Sequence, residues 1–586
     1  MGRRSKKQAQ RNSLKTSGST NKVSPETFRP VDPTPLRLFW IGALLIAAAT
    51  IGVYWNTLEN TFVTWDDRDY IYSNPLLERG LGAIWGDVIA EKPHEQYYPM
   101  VFTSFWVEYQ FVKLDPWLYH LNQMVLHAIN AVLLVFVLRS LGVRLFPALV
   151  AGALFALHPI NVASVAWTTE RKNTLSMFFI FLALLFYIQH RRRGHIWPYP
   201  TAIVLYVLGL LSKTVTVLLA PILVVTDRVL DGRWTWKSVA RILPFLFFGL
   251  LMIRTTALIE HRQAKSRDPV DPVMRVPVAA AAITHYVSKF VAPVNLVPIY
   301  PRWPVDPSVN LFDLRYVVSL IALLVAAMLA WCYRRKLSVF VFWGAAFFLL
   351  AILPMLGFKY FNFLQFSFVS DHFVYHATPG FFLLVGLLLD RLCGKNRASA
   401  STGDNATTSD AQASPSAGRA MAVYLVTVGM LVICSWLTFQ QNKVWKNGIT
   451  FWEHTLTCNP DCFPGQWNLG NHYTRQHDYA TALSYYREAA RILDTHVWSR
   501  QYCARCCKEL GRPDEALMYY QDAIDVAAKT KRFALDVRLE YAKYLSQLGK
   551  LQEAQVEYAK ILKQRPHHKE AAMATRNLQN KIDRLK

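Results

Sequence analysis

The stretch LRLFWIGALLIAAATIGVYWNTLENTFVTWDD, residues 36–67, begins as an apolar run and ends on two adjacent carboxylates. Its first part, 36–55, matches the roughly 20 apolar residues that carry a helix across a bilayer. It lacks a small-residue cleavage site and follows the basic tail GRRSKKQAQRNSLKTSGSTNK (2–22), so it is expected to remain as a signal anchor with the tail inside. Asp66 and Asp67 then emerge on the outer side, among Phe62, Trp65 and Tyr70. Paired acids are costly when buried and ordinary when solvated, so their meaning depends on what the rest of the chain brings to that face.

The chain has 586 residues, 53% hydrophobic and 13% aromatic, with a mean hydropathy of +0.16. That is too long for one ordinary domain and too apolar for a soluble one, and several further runs have spanning length. The formal charge of +24 sits largely in the N-terminal tail and in short turns such as RSLGVR, HRRRGH and YRRK. This is the positive-inside pattern of a membrane protein, and it argues against nucleic-acid binding.

Hydropathy and charge predict about 11 crossings, near 36–55, 118–138, 146–166, 174–190, 196–212, 214–230, 238–256, 311–333, 338–357, 372–391 and 420–440. One strongly basic turn, 254–275, falls on the outer side against the rule. The segment 276–297, with His285, Tyr286, Ser288 and Lys289, is expected to be re-entrant or interfacial. The expected layout is a disordered basic cytoplasmic tail (1–35), a membrane domain (36–392) with an outer loop at 56–117, a disordered cytoplasmic linker (393–419), a last crossing, and extracytoplasmic repeats (450–586). The linker holds the sequon Asn405-Ala-Thr407, which on the inner side would stay unglycosylated. This layout predicts a multi-pass protein of the cell inner membrane with a cytoplasmic N-terminus and a periplasmic C-terminus.

The C-terminal part is polar and periodic. Ala482, Ala516 and Ala554 are each followed four residues later by Tyr486, Tyr520 and Tyr558, with Gly511 and Gly549 in the turns and Pro566 at the end. A period of about 34 residues fits the tetratricopeptide repeat. Such concave helical arrays bind polypeptides, here an acceptor or an assembly partner. Cys458 and Cys462 bracket a loop that a disulfide can close, whereas Cys503, Cys506 and Cys507 suit repeat packing as well.

Ionisable and polar residues at membrane depth mark function or interhelical glue. His120, Gln123, His127 and Asn130 recur at helical spacing in the second crossing, which fits either role. In LHPINVASVAWTTERKNTLS, His158 precedes a proline, and Glu170, Arg171 and Lys172 open the next helix on the outer side. Cations at a helix N-terminus make a phosphate seat, although Arg171 can equally pair with a nearby acid. Lys213 and Arg254 repeat the theme, and SDHFVYHATPGF adds Asp371, His372, Tyr375 and His376. Acids, cations and aromatics at one face describe a cavity for an amphipathic phosphate.

The ordered series F-V-x-W-D-D-x-x-Y (62–70), Y-Y-P (97–99), H-L-x-x-x-x-x-H-A-x-N (120–130), H-P-x-x-V-x-S-V-A-W-x-x-E-R-K (158–172), L-x-K-T (211–214) and S-D-x-x-x-Y (370–375) resembles the transmembrane and tetratricopeptide repeat-containing O-mannosyltransferases. The resemblance covers about 55–390 and the repeats, and it departs from the family pattern at Gln123 and His372. It implies an all-α GT-C glycosyltransferase fold that moves mannose or a similar hexose from a polyprenyl-phosphate carrier to an acceptor outside the cytoplasm. It also implies that the acid pair Asp66 and Asp67 holds the catalytic base, and that outer cations bind the donor phosphate.

A hydroxyl acceptor needs a carboxylate to take its proton, and one of Asp66 and Asp67 fits that part. The leaving phosphate needs cations, for which Arg171, Lys172, Lys213 and Arg254 are the candidates. Tyr97, Tyr98, His120, His127, His158, Glu170, Asp371, His372 and Tyr375 are the candidates for lining the cavity and positioning substrate. A single attack predicts inversion, and the cations make a divalent ion or other cofactor unnecessary. Two other functions compete: an outer-face polysaccharide polymerase or ligase, whose chemistry would sit in a late loop, and a non-enzymatic scaffold presenting repeats, which needs only one crossing.

Overall fold

The computed structural model describes residues 36–90, 97–263, 270–394, 417–530 and 534–585. The basic tail, most of the expected linker with its sequon, and the outer-loop residues 91–96 lie outside them. Among the described residues the chain is all-α, a bundle of apolar helices followed by paired polar ones.

Among the described residues six helical stretches are long and apolar enough to cross a membrane: Leu36–Glu59, Pro116–Leu141, Thr168–Arg193, Trp236–Ile259, Leu314–Tyr333 and Gly418–Val444. The expected crossing at 146–166 is a bent pair, Leu145–Leu157 and Pro159–Ala166, turning by 50°. The other expected crossings are short or interrupted. Pro198–Leu210 and Val339–Met355 are apolar but short. The stretch 214–230 opens with a 3-10 turn, Thr214–Leu218, and the helix at 372–391 starts only at Thr378, after the turn Asp371–Val374. The breaks fall at His158-Pro159, Lys213 and Asp371-His372, where a proline or an ionisable side chain interrupts the regular ladder. All five of those residues are buried, as irregular backbone at that depth requires.

Counting only the helices used below, α1 is Leu36–Tyr54, α2 Pro99–Val112, α3 Pro116–Leu141, α4 Leu145–Leu157, α5 Arg171–Arg193, α6 Pro198–Leu210 and α7 Leu219–Asp231. Next come α8 Trp236–Gln263, α9 Arg275–Val291, α10 Leu314–Tyr333, α11 Val339–Ile352, α12 Thr378–Leu392, α13 Ala417–Val444 and α14 Gly448–Cys458. The segment expected to be re-entrant is α9, which packs on α10 through its small residues and a Thr284–Ser319 hydroxyl contact of 2.7 Å.

The basic turn HRRRGH (190–195) is held by acids and capped by glycine. Arg191 bonds Asp227 at 2.8 Å and Asp231 at 2.5 Å, and Arg241 bonds Asp227 at 2.6 Å, tying α5, α7 and α8 together. The C-terminal cap of α5 is Gly194 at φ +71°, a left-handed turn that suits glycine.

The bundle is tightest where α11 crosses α12. A Cβ at Gly380 would overlap the Gly344 carbonyl oxygen and lie 2.6 Å from the Phe348 amide nitrogen. Backbone cannot give way as a side chain does, so Gly380→Val is expected to cost about 3 kcal/mol or more. Thermal unfolding in detergent checks this, with Gly429→Ala on the open face of α13 expected to be neutral or slightly stabilising.

In the C-terminal region the repeat alanines Ala482, Ala516 and Ala554 are fully buried, and Tyr486, Tyr520 and Tyr558 fill the space beside them. The boundary is less sharp than the sequence predicts. Trp445, Phe451, Trp452, Cys462 and Leu469 belong to the same apolar cluster as the membrane helices. Cys458 and Cys462 are unbridged in this structure, and Cys503, Cys506 and Cys507 are buried packing residues.

Candidate active site

The acid pair divides by environment. Asp67 is buried, and each carboxylate oxygen meets donors: Oδ2 accepts the Val63 amide at 2.9 Å, while Oδ1 accepts the Thr169 amide at 3.0 Å and the Thr169 hydroxyl. Burial pushes this carboxyl up to about 7, against the hydrogen bonds from Thr169 and Val63 that favour its charged form. A pKa near neutral often marks a general base. Through these bonds Asp67 clasps the outer loop to the turn Thr168–Glu170.

Asp66 differs. Its side chain is 35% exposed, and one oxygen lies 3.7 Å from the Lys172 ammonium. A π-helical turn, Arg68–Tyr72, follows directly and brings Tyr70 beneath Lys172, 5.3 Å from ring centre to nitrogen. From Asp66 a line of alternating charge runs inward. Lys172 lies 3.0 Å from Glu170, Glu170 lies 3.7 Å from Lys213, and Lys213 donates to the Asn173 side-chain oxygen at 2.5 Å. Two carboxylates and two ammoniums balance, so an arriving phosphate meets lysines already held in place.

His372 completes the inner end, 4.0 Å from Glu170. Its Nδ1 faces the Ser370 hydroxyl at 2.7 Å, and its carbonyl accepts from Asn173 at 2.9 Å. Asp371 points the other way, accepting the Tyr300 hydroxyl at 2.7 Å, and burial pushes it up to about 7. Tyr98 is buried within electrostatic reach of Lys172, and Tyr97 is half-buried beside it. The Met100 amide bonds the Leu211 carbonyl at 3.3 Å, which sets this pair against the Lys213 junction.

Other sequence candidates lie elsewhere. Arg171, only 1% exposed, is engaged by protein groups: it bonds Glu108 at 2.7 Å, the Gln123 side chain at 2.7 Å and the Tyr119 carbonyl at 2.7 Å. Arg254 is exposed on α8. The α3 stripe acts as glue. His127 contacts the Tyr375 hydroxyl at 2.9 Å, Asn130 donates to the Thr174 carbonyl at 2.8 Å, and Gln123 donates to the Ser164 carbonyl at 2.7 Å. His120 is buried near Arg171. His158 accepts the Ile160 amide at 3.3 Å and meets the Phe290 carbonyl at 3.1 Å, joining the bend after α4 to α9.

Thr169 and Glu108 were missed by the sequence reading, and Tyr70 and Asn173, noted at the acid motif and the helix start, were given no role there. Glu108 carried a signal, as the lone acid in the apolar aromatic helix PMVFTSFWVEYQFV, where a buried charge needs a partner. Thr169 and Asn173 flank the Glu170–Lys172 run but are unremarkable as types.

Residues 464–529 match the family model for the tetratricopeptide repeat. Over 92% of its length the chain is 22% identical to Protein O-mannosyl-transferase TMTC3 of Homo sapiens, spanning 62% of that protein. It is 32% identical to Protein O-mannosyl-transferase tmtc2 of Xenopus laevis over a shorter region, 26% of this chain and 19% of that one. Protein O-mannosyl-transferase F38B6.6 of Caenorhabditis elegans is 22% identical over 73% of this chain and 59% of its own. The chain therefore spans less than two thirds of the length of these relatives. Among solved structures, ArnT from Cupriavidus metallidurans bound to undecaprenyl phosphate aligns over 82% of this chain and 80% of its own, with a TM-score of 0.36 and 12% identity. The chain is thus a multi-pass membrane protein with tetratricopeptide repeats and a relative of the TMTC protein O-mannosyl-transferases.

Proposed function

We propose that this protein is an inverting membrane glycosyltransferase of the GT-C type. It moves mannose or a similar hexose from a polyprenyl-phosphate carrier to a hydroxyl acceptor, a protein serine or threonine, on the outer face of the membrane. The observation that carries this reading is the part-exposed Asp66 carboxylate beside Lys172, with Lys213 behind it across Glu170. The names of its relatives, protein O-mannosyl-transferases, favour the same chemistry.

Asp66 takes the proton from the acceptor hydroxyl as its oxygen attacks the anomeric carbon. The bond to the carrier phosphate breaks on the opposite side, so the sugar carbon inverts. Lys172 and Lys213 receive the negative charge that develops on the leaving phosphate. Tyr98 and His372 flank the Lys172–Glu170 pair with Tyr97 beside Tyr98, these residues position the substrate, and no divalent ion or other cofactor has a part in this scheme. The repeats hold the acceptor polypeptide or an assembly partner.

The direct test compares membranes with and without the protein, supplied with a polyprenyl-phosphate hexose and a serine- and threonine-rich peptide. A hexose-sized mass on hydroxyl side chains, with the anomer opposite to the donor's, is expected only where the protein is present. An identical product in its absence would overturn the assignment.

The pH profile has a defined sign. Burial pushes the Lys213 ammonium down to about 8, with Glu170 opposing and Lys172 adding to the fall. The phosphate needs the protonated form, so kcat/KM for the donor is expected to decline as pH rises through about 8. Lys213→Arg keeps its charge across that range and should move the decline upward.

A further inference from the structure

The sequence places the repeats after the membrane domain as a separate module, yet their first helix touches the acid-bearing loop. The Thr61 amide bonds the Lys446 carbonyl at 2.9 Å, and the Trp452 indole N–H donates to the Thr64 hydroxyl at 3.3 Å. A Cβ on Gly448 would lie 2.9 Å from that same hydroxyl. The rings continue the contact. Trp167 stacks between Trp65 at 5.1 Å and Trp445 at 5.8 Å, and Trp452 lies 5.5 Å from Trp65.

This column joins the residue before Asp66, the turn before Glu170 and Lys172, and the entrance to the repeats. α14 is also anchored from the other side: His454 meets the Leu296 carbonyl at 3.1 Å, and Asn459 donates to the Ile299 carbonyl at 3.2 Å. Its start is fixed by Asn447, whose side chain accepts the Ile449 and Thr450 amides. A helix pinned at its start and along its outer side cannot move without taking Thr64 with it.

We infer that α14 is a positioning element for the Asp66 loop, through Gly448 and Trp452 on Thr64, so that the seating of the repeat array sets the place of the base. The inference rests on the assignment of Asp66 as base. Gly448 and Trp452 are positioning residues that touch no substrate.

Gly448→Ala in the full chain tests this. Alanine favours helix over glycine, so without the Thr64 contact the change would be neutral or stabilising. With it, amide exchange across 61–67 is expected to quicken about tenfold. The kcat for sugar transfer should fall about tenfold with KM for the donor unchanged. Adding Thr64→Ala removes the obstructing atoms, and the double variant should recover the kcat of Thr64→Ala alone. Tyr558→Ala, in the far repeats, should leave exchange across 61–67 as it was.

Unchanged exchange in Gly448→Ala overturns the contact. Faster exchange with undiminished kcat overturns the positioning role while leaving Asp66 as base. Undiminished transfer by Asp66→Asn is a separate failure, of the base itself, and it too overturns the inference while the exchange coupling is read independently.

Discussion

Asp66→Asn is expected to lower kcat for sugar transfer by about a thousandfold, within the span usual for a general base, while the protein melts where the wild type does. Asparagine has the shape of aspartate but no affinity for the acceptor proton, and the buried Lys172 ammonium beside it keeps Glu170 as counterion at 3.0 Å. Asp67→Asn should behave in the opposite way. Both of its oxygens accept hydrogen bonds, so the amide must turn a donor towards either the Val63 or the Thr169 N–H. The lost bond and exposed mismatch are expected to cost about 1–3 kcal/mol, read as a lower melting temperature and faster exchange in the outer loop. Transfer would then fall with folding rather than ahead of it. A stable but inactive Asp67→Asn beside an active Asp66→Asn would reverse the two roles.

Arg171→Met is expected to be among the most destabilising single changes in the membrane domain, costing about 3–5 kcal/mol. The guanidinium is 1% exposed and Glu108 opposite it 2%, so removing the cation leaves a charge buried without its counterion. The Gln123 oxygen and the Tyr119 carbonyl lose their donor at the same time. Glu108→Met in the same chain removes the stranded charge, and the pair together should recover most of the loss. Melting of the four proteins in detergent gives the coupling directly. If Arg171→Met instead melts normally and loses only affinity for the donor, Arg171 is a phosphate ligand after all.

These contrasts follow from residues that look alike in the sequence. Asp66 and Asp67 are neighbours of one type, and Arg171 and Lys172 are neighbours of one charge. Adjacent residues leave a turn or a helix start in different directions, so Asp66 and Lys172 meet each other while Asp67 and Arg171 turn to other partners. No local pattern says which. The partner that decides the matter is distant in the chain: Thr169 for Asp67, and Glu108 for Arg171. The α3 stripe has the same lesson, since its spacing declares one polar face but not whether that face meets substrate or the carbonyls of α5 and the bend after α4.

Membrane embedding, the basic turns, the ordered motifs and the repeat array were determined by the sequence alone. Each depends on local hydropathy, charge or periodicity, which a short window of residues carries in full. The count of regular spans was not, because proline and ionisable side chains break helices only where neighbours cover the break. Tertiary structure alone decided that Asp66 stays part-exposed beside Lys172 while Asp67 is buried on Thr169, and that Arg171 pairs with Glu108. It also decided that the repeat entrance lies against the Asp66 loop, a contact between Thr64 and Trp452 across most of the chain. Such pairings arise from packing between elements far apart in sequence, where burial and hydrogen-bond satisfaction are settled by the whole bundle at once.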